Sequence, residues 1–346
     1  MTSSDGAREA LEAYSLSGPA TLVRQLEATH VAFQVQAGER LYALRQFNPY
    51  ITAEALTEQF RLARLMCEIG LNVSVPVCAS DGSAFVEVAD GFWALFPWCD
   101  GRPGQRDRID DLRVLAAMQG KWIACAERLS SRPEWEGIER VASEFRRRKS
   151  WAWVVPLDQL PRFAREQQVI ERARQEAPGG PHRQAFLDLL PEVDSRIREF
   201  DGLLRENGVH DLPHTVTHGD FWASNICISE DGAVVLDLDC FSFEPRIADF
   251  ARAANWFHTD TTPQENASLL RQFQGQARLS EEELRALPLM MCAHDLYYAV
   301  GHVLLFLTED AASQAHLIGQ IESEVKAADR FEREGEEIMS MFLTGT

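Results

Sequence analysis

Polar residues of a particular kind crowd one short stretch of this chain. Thr217 to Ser229 reads "THGDFWASNICIS", and "VVLDLDCF" follows closely, so His218, Asp220, Asn225, Asp237 and Asp239 are near neighbours in sequence. Two readings compete: turn punctuation between short strands, or the base and metal seat of a phosphate-handling site. Asp220 follows a His-Gly turn, where Gly219 permits a backbone conformation that other residues resist. A hairpin turning at "SEDG" would carry Asp237 back beside the Asp220–Asn225 loop. The result is a carboxylate able to take a hydroxyl proton, next to an amide oxygen and a second carboxylate. Those are hard oxygen donors that suit Mg²⁺. Phosphoryl transfer needs this set, because its transition state asks for positioning and charge neutralisation rather than covalent chemistry. Asp-x-x-x-x-Asn alone arises easily by chance. Preceded by His-Gly and followed by an acidic strand, it becomes specific.

Other chemistries fit less well. His214 and His218 stand four apart as in zinc-binding helices, but "HTVTH" is β-branched, and four strand residues span about 13 Å. No HExxH glutamate accompanies them. The 7 cysteines are spread through apolar runs without a CxxC, which predicts buried free thiols in a reducing compartment. A net charge of −19 argues against a nucleic-acid surface. It allows an acidic cleft that attracts a cationic substrate, or simple solubility. The basic run Arg146 to Lys149 reads as a solvated helix face. No unbroken apolar run approaches membrane-spanning length, so no membrane partner is expected. The N-terminus lacks the basic start and apolar core of a secretory signal, so a cytoplasmic address is expected.

The elements that must position these residues follow from periodicity. With 346 residues, two lobes are the default expectation. "TLVRQLE", "VAFQVQ", "RLYALRQF", "VSVPVCAS", "SAFVEVAD" and "GFWALFPW" read as strands separated by tight turns. Between the third and fourth, "TAEALTEQFRLARLMCEIG" has helical spacing, a Thr52 cap and a Gly70 stop. This predicts an antiparallel sheet with one helix over residues 1–98. "CDGRPG", residues 99–104, is a Gly/Pro linker, and 105–346 read as mainly helical with the hairpin of 217–240 embedded. The expected class is therefore α+β and bilobal. Trp93, Phe96 and Trp98 are expected in the core, with Phe96 or Trp98 also able to stack on a base.

These motifs resemble the aminoglycoside phosphotransferase / choline kinase-like superfamily, whose fold is protein-kinase-like. "HGDFWASN" is similar to its His-Gly-Asp-x-x-x-x-Asn loop, and "VVLDLDCFSFEPRIADFA" to the acidic segment that follows. The resemblance covers most of the chain, from about Leu22 to Trp256. It implies ATP and Mg²⁺ as cofactors, Asp220 as catalytic base, and Asn225 and Asp237 as metal ligands. His218 and Asp249 would support the loop, while Asp239 is either a second metal contact or a partner of Arg246. Arg45, in "LYALRQF", holds the place of the phosphate-gripping base, with Glu58 as its helix partner. The Pro97–Cys99 backbone would hydrogen-bond adenine. His258, Asp260, Asp295 and Tyr298 lie where the family's acceptor side falls. Three departures stand out: Arg45 replaces lysine, the turn "EATH" has no glycine, and Glu244 occupies the place of an expected glycine.

The resemblance implies transfer of phosphate to a hydroxyl of a small polar molecule, such as an aminoglycoside or other antibiotic, choline, homoserine or methylthioribose. "LDLD", Val75-Pro76-Val77 and the length also resemble the superfamily's bacterial stress-response Ser/Thr protein kinases. A nucleotide-binding pseudokinase-like module is the non-enzymatic alternative, motivated by Arg45 and "EATH".

Overall fold

The computed structural model describes residues 3–26, 31–47, 51–148, 163–257 and 261–344. The "EATH" turn, Lys149, His258 and Asp260 lie outside the described residues.

The N-terminal part is built on strands β1 (Ala20–Gln25), β2 (Ala32–Ala37), β3 (Arg40–Gln46), β4 (Val86–Val88) and β5 (Gly91–Pro97). They form an antiparallel sheet in the order β1-β2-β3-β5-β4. Helix α2 (Ala53–Glu68) opens on the Thr52 hydroxyl, which accepts the Ala55 N–H. Its buried face, Leu56, Phe60 and Ala63, joins Phe47 and Ala94 in the main core.

Two expectations need correction here. A second helix, α1 (Ser3–Glu12), covers the sheet: Ala7, Ala10, Leu11 and Tyr14 pack with Val35, Leu44, Trp93 and Leu95. Its apolar positions have helical spacing, but they sit among small and acidic residues that mask the pattern. "VSVPVCAS" is not a strand of this sheet. Pro76 removes a ladder donor, and Val73 makes only a parallel bridge to Val235, in the other half of the chain. Ser74 N–H donates to the Val235 carbonyl at 2.8 Å, and Val235 N–H to Asn72 at 2.9 Å, so this segment stitches the two parts together.

The linker is also anchored. Arg102–Pro103 forms a short strand, β6, paired with β8 (Ile226–Ser229), and β8 turns into β9 (Gly232–Val235). Gly101 and Gly104 are needed for close approach: a Cβ would sit 2.6 Å from the Ile228 carbonyl oxygen and 2.5 Å from that of Ala223. Arg102 then forks onto Asp111 at 2.5 and 2.7 Å, fixing the start of α3 (Ile109–Leu129).

Beyond α3 come α4 (Trp135–Arg148), α5 (Phe163–Glu176) and α6 (Arg183–Glu206). Strand β7 (His214–Thr217) pairs antiparallel with β10 (Ser242–Pro245), and the β8–β9 hairpin lies between them in sequence. Helices α7 (Ala248–Phe257), α8 (Pro263–Ala277), α9 (Glu281–Arg285), α10 (Leu287–Phe306) and α11 (Ala311–Thr344) complete the chain. Helix α10 is long and apolar enough to cross a membrane by length and composition; 71% of that window is buried inside the protein. Its apolar residues belong to the main core.

Helix α3 is the floor of the loop that follows β7. Its Trp122 indole donates to the Val216 carbonyl at 2.9 Å, and the Gln119 amide donates to Phe221 at 3.1 Å and Asp249 at 3.3 Å. On its opposite side Gly120 meets α8, where a Cβ would stand 2.3 Å from the Phe273 carbonyl oxygen. Backbone cannot yield there without moving α3 and the groups it carries. Gly120→Val is expected to cost about 1–3 kcal/mol of stability by overpacking, measured by urea unfolding.

Candidate active site

The loop that carries Asp220 begins where β7 ends. Gly219 has φ +80, and a Cβ there would lie 1.8 Å from the Cys240 carbonyl oxygen, so only glycine fits. This tight crossing would leave two backbone N–H groups without partners. The buried Asp249 carboxylate takes both, from His218 at 2.8 Å and Gly219 at 3.0 Å. Arg252, one helical turn on, donates to Asp249 at 2.7 Å and to buried Glu244 at 2.6 Å. Burial works against the charge of Arg252, but the two carboxylates outweigh it and raise its pKa. Glu244 therefore has a structural reason to replace glycine: it neutralises a buried guanidinium.

His218 ties the loop to the hairpin. Its Nε2 lies 2.9 Å from the Leu236 carbonyl, and Asp220 N–H donates to its Nδ1 at 3.3 Å. The ring stacks on Phe221 and meets Trp122 edge-on. Asp220 itself accepts from the Trp222 indole N–H and, at 3.0 Å, from the Asn225 amide. Burial raises its pKa, with a smaller upward push from Asp237, while His218 and the two donors act the other way.

Asn225 spends its amide N–H groups on Asp220, at the carboxylate and at the carbonyl, 2.7 Å away. That leaves its oxygen as the group available to a cation. The β8–β9 register sets Ile226 opposite Val235, and Leu236 N–H donates to the Asn225 carbonyl at 2.8 Å. Asp237 is the next residue, in a left-handed conformation (φ 58) that is uncommon for a residue with a side chain. An all-oxygen pair of donors at this end of the hairpin fits a hard divalent cation.

Arg45 reaches this site from β3, across the cleft. It donates to Asp237 at 2.9 Å and to Asp239 at 2.6 Å, and lies over the Phe47 ring. Burial would raise the pKa of Asp237, but the Arg45 guanidinium prevails and holds it at about 2. The expected Arg45–Glu58 pair is not formed. Glu58 bonds Arg61 at 3.0 Å and packs against Gly137 of α4, because the phase of α2 turns it away from the cleft. Its neighbour Gln59 faces the site and donates to Asp239 at 3.1 Å. Nor is Asp239 the partner of Arg246, whose bonds go to Glu283 and Glu127.

At the edge of β5, Trp98 N–H donates to the Leu41 carbonyl at 3.1 Å. By strand alternation the Pro97 carbonyl then faces away from β3. Trp93 is core, while Phe96 is partly buried on Phe60. Of the acceptor-side candidates, Tyr298 comes close to the loop: burial raises its pKa, and the Asp220 charge adds to the effect. It belongs to a ring series on α10, with His294 4.7 Å away and Trp222 beyond at 6.3 Å from His294. Asp295 is half-buried beside them.

The sequence model of the phosphotransferase enzyme family, APH, matches residues 23–286. The chain belongs to the APH phosphotransferase family. It is a kinase whose acceptor group is a hydroxyl. No curated protein matches it. Among solved structures, the APH chain is similar to an aminoglycoside phosphotransferase from Alicyclobacillus acidocaldarius, with TM-score 0.65, 15% identity and 96% of each chain covered. An amicoumacin kinase in complex with AMP-PNP, Ca²⁺ and amicoumacin gives 0.65 at 13% identity, covering 94% of each. A microcompartment-associated aminopropanol kinase gives 0.60 at 18% identity, covering 95% of this chain and 98% of that one. The α+β, protein-kinase-like fold is thereby established.

Several residues around the APH loop escaped the sequence reading. Gln59 was hidden by the phase of α2, and Trp222 by its place inside the loop motif. Arg252 carried a signal that could have found it, an i+3 spacing from Asp249 on a helix. None of the seven cysteines is in a disulfide, but Cys78 is exposed and three others are half-buried.

Two measurements test this construction. Arg252→Met leaves Glu244 and Asp249 buried without their cation, for an expected loss of about 3–5 kcal/mol in urea unfolding. The Arg45–Asp237 contact sets an acid dependence. The folded pKa of Asp237 lies below its ordinary 3.8, so its contribution is present above that pH and disappears as pH falls through about 2. The melting-temperature gap between wild type and Asp237→Asn should therefore narrow across that window.

Proposed function

We propose that this chain is an ATP- and Mg²⁺-dependent kinase that phosphorylates a hydroxyl of a small polar, amine-bearing molecule. The observation that carries the reading is the convergence of Asp220, Asn225, Asp237 and Arg45 at one end of the cleft. ATP lies between an N-terminal lobe, 1–98, and a helical lobe, 105–346, joined by the hinge 99–104. Adenine meets the β5 edge through the Pro97 carbonyl and the Cys99 backbone. Arg45 turns part of its guanidinium to the phosphates. Asn225 and Asp237 would hold Mg²⁺, which when bound would neutralise phosphate charge.

Asp220 orients the acceptor hydroxyl and takes its proton as the oxygen bonds to the γ-phosphorus and the bond from that phosphorus to the ADP oxygen breaks. The Trp222 indole and Asn225 amide fix its carboxylate, and its raised pKa favours proton acceptance. The acceptor lies between this loop and α10, against Trp222, His294 and Tyr298. Indole and phenol faces attract a cation, and Asp295 and the net charge of −19 agree with an amine. The aminopropanol and aminoglycoside enzymes of similar fold support that class.

A screen of aminoglycosides, amino alcohols, sugars and nucleosides, coupled to ADP release, tests the reading. Turnover confined to amine-free acceptors would remove the amine assignment, and transfer only to proteins would favour a Ser/Thr kinase. Asp220→Asn is expected to lower kcat by about 10²–10⁴ while nucleotide still binds. Asp237→Ala is expected to abolish Mg²⁺ dependence; unchanged Mg²⁺-dependent binding in that variant would sink the metal assignment.

A further inference from the structure

Arg45 stands where a lysine was expected, and Glu58, the helix residue expected to hold it, faces α4. Two carboxylates hold the guanidinium instead, and they are not equivalent. Asp237 is 33% exposed and is the residue assigned to the cation. Asp239 is only 11% exposed, and both of its oxygens are engaged. One accepts Arg45 Nη2 at 2.6 Å; the other accepts the Gln59 amide at 3.1 Å. Gln59 is itself buried on α2, one residue and so about 100° around the helix from Glu58. Helix α2 thus reaches the cationic side chain after all, through an amide and an intervening carboxylate.

We propose that Asp239, tethered by Gln59, is the positioning residue that holds Arg45 for the nucleotide's phosphates, replacing the helix glutamate. The assignment rests on the nucleotide reading of the cleft. Its chemistry explains the exchange of lysine for arginine. A planar fork can send Nη1 to one carboxylate and Nη2 to another, whereas an ammonium is a single point charge. Arginine has five N–H donors, so two committed to carboxylates leave others for phosphate oxygens. When a cation claims Asp237, the contact to Asp239 persists, because Gln59 fixes the remote oxygen of that carboxylate. The Phe47 ring, 5.1 Å from the guanidinium carbon, limits its swing on one side.

The experiment is ADP binding by calorimetry, in EDTA and in Mg²⁺, with each variant's melting temperature recorded. Asp239→Asn and Gln59→Ala are each expected to weaken metal-free ADP binding about tenfold. Glu58→Gln should change it less than about twofold. Gln59→Glu combined with Asp239→Gly, which supplies a carboxylate directly from α2, should restore affinity to within about threefold of wild type. A merely structural role for Asp239 would not give that rescue. Unchanged affinity in Gln59→Ala, or a loss in Glu58→Gln equal to that in Gln59→Ala, overturns the proposal. Gln59→Ala decides the matter even where Asp239→Asn fails to fold, since it removes the tether and keeps the carboxylate. Failure of wild type to bind ADP or ATP at all would be recognisably different. It refutes the nucleotide reading and takes this assignment with it.

Discussion

The whole candidate site hangs on one buried carboxylate. Asp249 receives the N–H groups of His218 and Gly219, and without it the chain could not cross so closely beneath the Cys240 carbonyl. Burying that charge creates a debt that is met step by step: Arg252 neutralises it, and Glu244 balances Arg252. The Ser242 hydroxyl then donates to Glu244, and Thr217 closes the group by bonding Ser242 at 3.1 Å. Each member is buried, so none can be deleted alone at low cost. Asp220 is positioned by this network while taking no part in it, which frees its carboxylate for chemistry.

A second constraint concerns helix phase. Helix α2 is fastened near both ends, by Glu54 to Arg140 of α4 at 2.7 Å and by Glu68 to Arg132, just ahead of α4, at 2.8 Å. Such exposed pairs contribute little energy individually. Apolar burial of Leu56, Phe60, Leu62 and Met66 supplies most of the hold. Together they set the rotation that sends Glu58 to Gly137 and Gln59 to Asp239. A rotation of one residue would set the Glu58 carboxylate against that of Asp239, where the Gln59 amide now donates.

This explains what the sequence could and could not disclose. Strand alternation in "VAFQVQ" and "RLYALRQF" and the "SEDG" turn were local signals, and the sheet and hairpin were readable from them. Asp220, Asn225 and Asp237 were legible for the same reason, since a short loop and a tight hairpin leave few ways to arrange them. The partner of Arg45 was not legible, because it depends on the phase of α2, and that phase is set by contacts with distant α4. Glu244 looked like a defect in a motif until its cation, eight residues on, was placed beside it. Helix α1 was missed because its apolar stripe has meaning only against the sheet it covers.

The pairing of β6 with β8 bears on rigidity. The linker is sewn to the strand that starts just after Asn225, and Arg102 fastens it to α3 as well. From Arg102 onward the linker is therefore held to the same body as the loop and hairpin. Asp220, Asn225 and Asp237 stand on that loop and hairpin, tied together by the Asn225 amide and the β8–β9 register. Arg45 belongs to the N-terminal sheet, so its bonds to Asp237 and Asp239 fasten that sheet to the hairpin, in addition to the Val73–Val235 bridge.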